Sequence, residues 1–234
     1  MLMREAVWKR LAVRFASGSR VLEMNCGTGE DALWLAQKGV NVLATDISPL
    51  MLRVAEAKLN SVQGALAVRF QRLSWEELDT LDESPFDGML SNFGGLNCVR
   101  DIRGAARSLA AKLQRGAIAM LCIMGPAVPW EWGWFLVRGK PAAAFRRLHR
   151  NAVKWSGIPI QYPSIASTRR AFSPDFRMLR VGAVGALLPP PYARSWMDRH
   201  PRMLGALNRM ERSCETTWPL PQLADHYLIE FERV

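Results

Sequence analysis

The stretch Val21-Leu22-Glu23-Met24-Asn25-Cys26-Gly27-Thr28-Gly29-Glu30 decides the fold. Its first half is a short apolar run, which reads as a buried strand. Its second half packs two glycines into five residues, which reads as a tight turn. Glu30 to Lys38 then places Leu33, Trp34 and Ala36 at helical spacing, and Gly39 ends that helix. Strand, glycine turn and helix in this order let backbone N–H groups approach a ligand closely.

Working outward, Arg4 to Ala16 suggests a short amphipathic helix, broken at Ser17-Gly18-Ser19. A second strand runs from Asn41 to Asp46. Ser48-Pro49 then caps and opens a helix to about Leu59. Further strands are expected at Ala67–Leu73, Phe86–Ser91 and Ala117–Met124, with a helix at Asp101–Leu113. This β-α alternation predicts an α/β fold: a Rossmann-like, doubly wound, seven-strand sheet. The sheet is expected to be mostly parallel with an antiparallel last strand at Tyr227–Glu232, beside another strand at Met178–Leu187.

Composition shifts after residue 124. Residues 125–170 are rich in Pro, Trp and Arg without clean periodicity, and Pro189–Pro221 is irregular too. The chain is therefore expected to be one domain, 1–234. Its cofactor-binding half is 1–124, and substrate-lid insertions occupy 125–170 and 188–222. Long connections of this kind serve as lids or binding loops. Trp130, Trp132 and Trp134 alternate, so an aromatic face is expected along that segment.

Asp46 ends the second strand 17 positions after Gly29, where a carboxylate can accept hydrogen bonds from two ribose hydroxyls. A nicotinamide dehydrogenase shares this logic, but Ala32 stands where the third glycine of G-x-G-x-x-G belongs. The acidic residue followed by Asn25-Cys26-Gly27-Thr28-Gly29, with Asp46-Ile47-Ser48-Pro49 after it, resembles the class I S-adenosylmethionine-dependent methyltransferases over about residues 20–125. Asn25 replaces the first glycine of their motif, and asparagine tolerates the left-handed conformation.

The resemblance implies S-adenosylmethionine as cofactor and S-adenosylhomocysteine as product. It implies a cofactor site made of Glu23, Asn25, Cys26, Gly27, Thr28, Gly29, Asp46, Ile47, Met51, Ser74, Trp75, Ser91, Asn92 and Phe93. The turn would cradle the methionine part, Asp46 would hold the ribose and Ile47 would pack on the adenine. The acidic adenine ligand that the family often carries after the third strand is missing from Leu73-Ser74-Trp75-Glu76. Ser74 or a backbone group takes its place, with Trp75 as a stacking wall. Ser91 and Asn92 would sit beside the methyl group.

Methyl transfer from a sulfonium rests largely on positioning, so no catalytic dyad is required. Should the acceptor need to lose a proton, His149, His200 and His226 are the base candidates, although His226 reads first as structural or as a cap, and Tyr162 and Tyr192 are equally plausible pocket-lining residues. The acceptor itself is not named by the fold. A small-molecule or lipid-like acceptor ranks first. A nucleic-acid or protein methyltransferase comes next, and a non-catalytic Rossmann-like binding module last.

A hydrophobic fraction of 49% with 22% charged residues excludes disorder as the main description. The formal charge is +10, and residues 138–180 hold ten Lys or Arg against Asp175 alone. Such a run suits a solvated face, an anionic membrane surface touched from the periphery or, with less support, a nucleic acid. Cysteines 26, 98, 122 and 214 show no metal-ligand spacing, so no metal is expected and a reducing cytoplasm is. The N-terminal segment lacks the uninterrupted apolar region of a signal peptide. The pattern does not determine the oligomeric state.

Overall fold

Strand β1 (Arg20–Met24) is the hub of the sheet, pairing in parallel with β2 (Asn41–Asp46) on one side and β4 (Phe86–Ser91) on the other. The computed structural model describes residues 2–148, 153–155, 157–189, 193, 197 and 199–234. Strand β3 (Val68–Arg72) forms one edge against β2, and β5 (Leu113–Met124) continues the parallel order beyond β4.

A two-strand hairpin, β6 (Val153–Trp155) and β7 (Ile158–Ile160), stands apart from this sheet. The seven-strand order is β3-β2-β1-β4-β5-β9-β8, with β8 (Phe176–Val184) at the far edge. Strand β9 (His226–Arg233) lies between β5 and β8 and runs antiparallel to both. The expected mixed sheet is thus the observed one.

Alternation along the strands builds two cores. Leu22, Leu43, Met89, Leu121 and Ile229 face one layer, which includes α4 (Ile102–Lys112) and α7 (Ile165–Phe172). Val21, Val42, Leu90, Met120 and Leu228 face the other, covered by α1 (Leu2–Arg14) and α2 (Glu30–Ala36). A sheet buried on both faces needs apolar residues at successive positions, and this is why the strands were legible as unbroken apolar runs. Helix α3 (Pro49–Ser61) begins as the sequence indicates, with Ser48 Oγ accepting from the Met51 N–H.

The two segments read as irregular carry regular elements. Residues 125–172 hold α5 (Pro129–Leu136), α6 (Pro141–Ala144), the hairpin and α7. The segment 188–222 holds α8 (Pro201–Cys214). Helices α5, α6 and α8 all start with proline at the first helical position, where its missing N–H costs nothing. The alternating tryptophans therefore do not share a face. On α5, Trp130 and Trp134 are four apart and line one side, while Trp132 packs on Phe145 with centroids 5.9 Å apart.

Among the described residues, no helix is long and apolar enough to cross a membrane. No cluster of His, Cys, Asp or Glu among them could hold a metal ion.

Candidate active site

The parallel strands all deliver their carboxyl ends to one edge, and the turn after β1 sits there. Asn25, Gly27 and Gly29 have φ of 59°, 56° and 76°. Asn25 thus takes the left-handed conformation that the sequence requires of it. The turn is tied to β2 by Cys26 N–H donating to Thr45 O at 2.9 Å, and it closes on itself by Gly29 N–H to Cys26 O at 3.0 Å. Asp46 accepts from Gly27 N–H at 2.9 Å and from Ser48 N–H at 2.8 Å, so its carboxylate is held across the mouth of the turn.

Trp75 is placed differently from the expected stacking wall. Its ring is only 3% exposed, and Nε1–H donates to Asn25 Oδ1 at 2.6 Å. It grips the turn from behind. Ile47 and Met51, by contrast, are 55% and 45% exposed and leave apolar surface beside Asp46. Ser74 opens the short 3-10 turn Trp75–Thr80, its N–H donating to Glu77 Oε2 at 3.0 Å.

Burial, reinforced by Asp31, pushes the Glu23 carboxyl well above its ordinary value, and its Oε2 is buried without a partner. Ser91 Oγ at the end of β4 is likewise buried and unpartnered. Burial also raises the Cys26 thiol, which Glu23 and Asp46 push further, and raises Cys122 to about 12. Both thiols stay protonated and inert at neutral pH.

Several contributors escaped the sequence reading. Asp31 accepts from Arg4 Nη1 at 2.6 Å, Trp8 Nε1 at 2.6 Å and Asn92 Nδ2 at 2.9 Å, fastening α1 over the site. Lys58 Nζ donates to Thr28 Oγ1 at 2.9 Å and pairs with Glu30. Asn97 reads both Met124 N–H (2.9 Å) and Met124 O (3.0 Å), tying the loop after β4 to the end of β5. Phe93, one of the expected site residues, follows β4 with φ of 46°, strained for a residue that is not glycine. The Arg4 guanidinium lies 4.9 Å from its ring centroid, and the ring meets that of His226 edge-on at 5.3 Å.

His226 is therefore at the site edge, opposite Met124 in register. Its Nδ1 lies 2.9 Å from Asp225 Oδ2. Burial alone would raise the Asp225 carboxyl, but His226 and Arg147 outweigh it and hold it well below the carboxylate range. Arg147 Nη2 donates to Asp225 Oδ1 at 2.7 Å, and Arg147 Nε lies 2.9 Å from Glu131 Oε2 on α5. Burial works against the Arg147 charge too, yet Asp225 and Glu131 raise its pKa further. No pattern of spacing flags this cluster, because its members are 16 and 78 positions apart.

Of the base and pocket candidates, Tyr162 lies under the Arg147 guanidinium at 5.3 Å and lines a cavity of about 630 Å³ with Arg100, Gln161 and Arg170. His200 is exposed at the entry to α8. His149 and Tyr192 lie outside the described residues.

A mostly parallel seven-strand sheet with an antiparallel penultimate member, and a glycine turn facing an acid across β1 and β2, defines the class I methyltransferase fold. The profile of the methyltransferase domain family matches residues 21–116. Over that stretch the chain is similar to this family.

Among curated proteins it is similar to the demethylmenaquinone methyltransferase of Tropheryma whipplei, at 31% identity over 127 residues (51% of this chain, 49% of the relative). It is also similar to a ubiquinone biosynthesis O-methyltransferase of Xylella fastidiosa, at 33% over 73 residues (31% and 29%). The chain spans at most about half the length of these relatives. A methyltransferase structure from Mesorhizobium loti superposes with a TM-score of 0.66 at 19% identity, covering 100% of both chains.

Proposed function

We propose that the protein transfers a methyl group from S-adenosylmethionine to a small, lipid-like acceptor. The observation that carries the reading is the left-handed Asn25–Gly29 turn facing Asp46, with two orphaned buried oxygens, Glu23 Oε2 and Ser91 Oγ, at the ends of β1 and β4. Unsatisfied buried acceptors in a native fold call for a partner, and a polar, cationic amino-acid moiety supplies one. Glu23 and the turn would hold the methionine part. Asp46 would take the ribose, for which each of its oxygens keeps a lone pair. The exposed Ile47 and Met51 would cover the adenine.

The cofactor supplies an electrophilic methyl on sulfur, which passes to a nucleophile as the sulfonium becomes a neutral thioether. The protein's part is to align that nucleophile and exclude water. Where the acceptor is a hydroxyl, His226 backed by Asp225 is the best-placed base, ahead of His200 and Tyr162. The quinone-directed names of the relatives favour a small aromatic or lipid-like acceptor over a macromolecule. The basic run supports that ranking, because Arg146, Arg147, Arg177 and Arg180 are engaged with Glu131, Asp225, Glu232 and Glu215.

Calorimetric titration with S-adenosylmethionine, S-adenosylhomocysteine and NAD tests the reading. The first two are expected to bind. Asp46→Ala is expected to weaken both by about 1–3 kcal/mol, the cost of losing hydrogen bonds to a charged acceptor. Binding of NAD alone, or unchanged affinity in Asp46→Ala, overturns it.

A further inference from the structure

Helix α5 has two unlike faces. Glu131 points inward to Arg146 and Arg147. Pro129, Trp130, Gly133, Trp134 and Val137 point the other way, into a cleft of about 630 Å³. The opposite wall comes from Ala186 and Leu187 just after β8, and from Leu220 and Leu223 around a short 3-10 turn. Among the described residues, no charged side chain lines it. The volume is that of a small-ligand site, but the chemistry excludes a polar metabolite, which would leave its hydrogen bonds unmade.

Both walls are tied to residues at the candidate active site, one through the chain and the other through the ion cluster. Leu223 is two residues before Asp225 and three before His226, whose ring meets Phe93. The inward face of α5 is fastened to the same Asp225 through Glu131 and Arg147.

We infer that this cleft binds the hydrocarbon chain of an amphipathic methyl acceptor whose reactive head lies at Phe93 and His226. The inference rests on the reading of the protein as a methyltransferase of a lipid-like acceptor, and it adds the place and chemistry of the tail site. A chain laid between α5 and the 220–223 turn removes apolar surface from water without leaving a buried polar group unpaired. Polar heads stay outside a cleft that offers no partner, so the chain orients the acceptor toward the methyl.

The test uses cis-parinaric acid, a fluorescent unbranched chain excited by energy transfer from tryptophan, with Trp130 and Trp134 in the cleft wall. A Cβ added at Gly133 meets nothing within 4 Å, so Gly133→Phe enters the cleft from open space at its root. Val137 is 80% exposed, so Val137→Asp puts a charge at the mouth at little risk to folding. Wild type is expected to bind the probe, and each variant to lose about tenfold or more in affinity, equivalent to about 1.4 kcal/mol. S-adenosylhomocysteine titrations on the same samples are expected to be unchanged.

Absence of probe binding by wild type, or equal binding by both variants, overturns the inference. So does a signal that arises only with anionic vesicles, which would mark a membrane surface instead. Probe binding without S-adenosylhomocysteine binding sinks the methyltransferase reading and leaves the cleft standing. The reverse result sinks the cleft alone.

Discussion

The turn after β1 and the segment that follows β5 solve the same problem, holding a site rigid at the carboxyl edge of the sheet, by different physics. The turn is held by backbone: left-handed residues, main-chain bonds between Cys26 and Thr45, and a carboxylate that accepts from Gly27 and Ser48. The later segment is held by a buried ion cluster of Glu131, Arg147, Asp225 and His226. Backbone constraints tolerate few sequences and so leave a readable motif. Ion clusters are assembled from distant positions and leave none. On the proposed function, the first kind would suit a constant cofactor and the second an acceptor pocket that differs from enzyme to enzyme.

The sharpest way to break this contrast is Arg147→Met. It takes one buried cationic partner from each of Asp225 and Glu131, leaving them only His226 and Arg146, and breaking a buried pair costs up to about 3–5 kcal/mol. Denaturant unfolding measures the loss. Hydrogen exchange locates it, with protection expected to fall across residues 125–148 while the turn at 25–29 keeps its own. Equal loss in both regions would mean that the two are not separately held.

The acid side carries the same signature. Asp225 is held below its unfolded value, so its contribution is fully present above the ordinary carboxylate pKa. It is lost as pH falls through that value toward the depressed one. Wild-type stability should slope downward there, and Arg147→Met should flatten the slope.

A smaller effect separates two glycines of the turn. At Gly29 an added Cβ would stand 2.9 Å from Ala55 Cβ and 3.0 Å from Phe70, in addition to its φ of +76°. At Gly27 it would meet nothing within 4 Å. Gly29→Ala is expected to cost about 2–3 kcal/mol of stability, from strain plus overpacking. Gly27→Ala is expected to cost about 1 kcal/mol from conformation alone. Thermal unfolding of the two variants side by side checks this. If they prove equal, the packing of α3 against the turn has no part in holding it.

These differences explain what the sequence disclosed. Strands buried on both faces show as apolar runs, and a turn that needs positive φ shows as Gly and Asn, so the first 124 residues were legible nearly to their boundaries. Helix α8 was missed because its buried residues include Glu211, whose carboxylate accepts from Gly185 and Leu187 N–H at 2.8 and 2.7 Å. A charged residue on the inward face blurs the apolar stripe on which helix recognition depends. The tryptophans of α5 misled for a related reason. An every-other-residue pattern imitates a strand, and only Pro129 at the helix start and the i, i+4 pair of Trp130 and Trp134 say otherwise. His226 reads as a cap because, although an antiparallel last strand is expected, nothing in its local sequence shows that its ring meets Phe93 after β4.

The smallest effect concerns the one place where the motif departs from its pattern. Asn25 holds φ of 59° in place of a glycine, and its side-chain oxygen is gripped by Trp75 Nε1–H at 2.6 Å. That hydrogen bond and the strain are two sides of one device. An asparagine visits the left-handed region at a cost, and a fixed partner for its side chain offsets it. Trp75→Phe keeps the ring in the core but removes the donor, and is expected to cost about 1 kcal/mol. It should weaken S-adenosylhomocysteine binding by less than about tenfold. In Asn25→Gly the backbone needs no such grip, so adding Trp75→Phe to that background should cost less than it does alone. A double-mutant cycle on cofactor affinity measures the coupling directly. Additive effects would show that Trp75 merely fills the core and that Asn25 holds its conformation unaided.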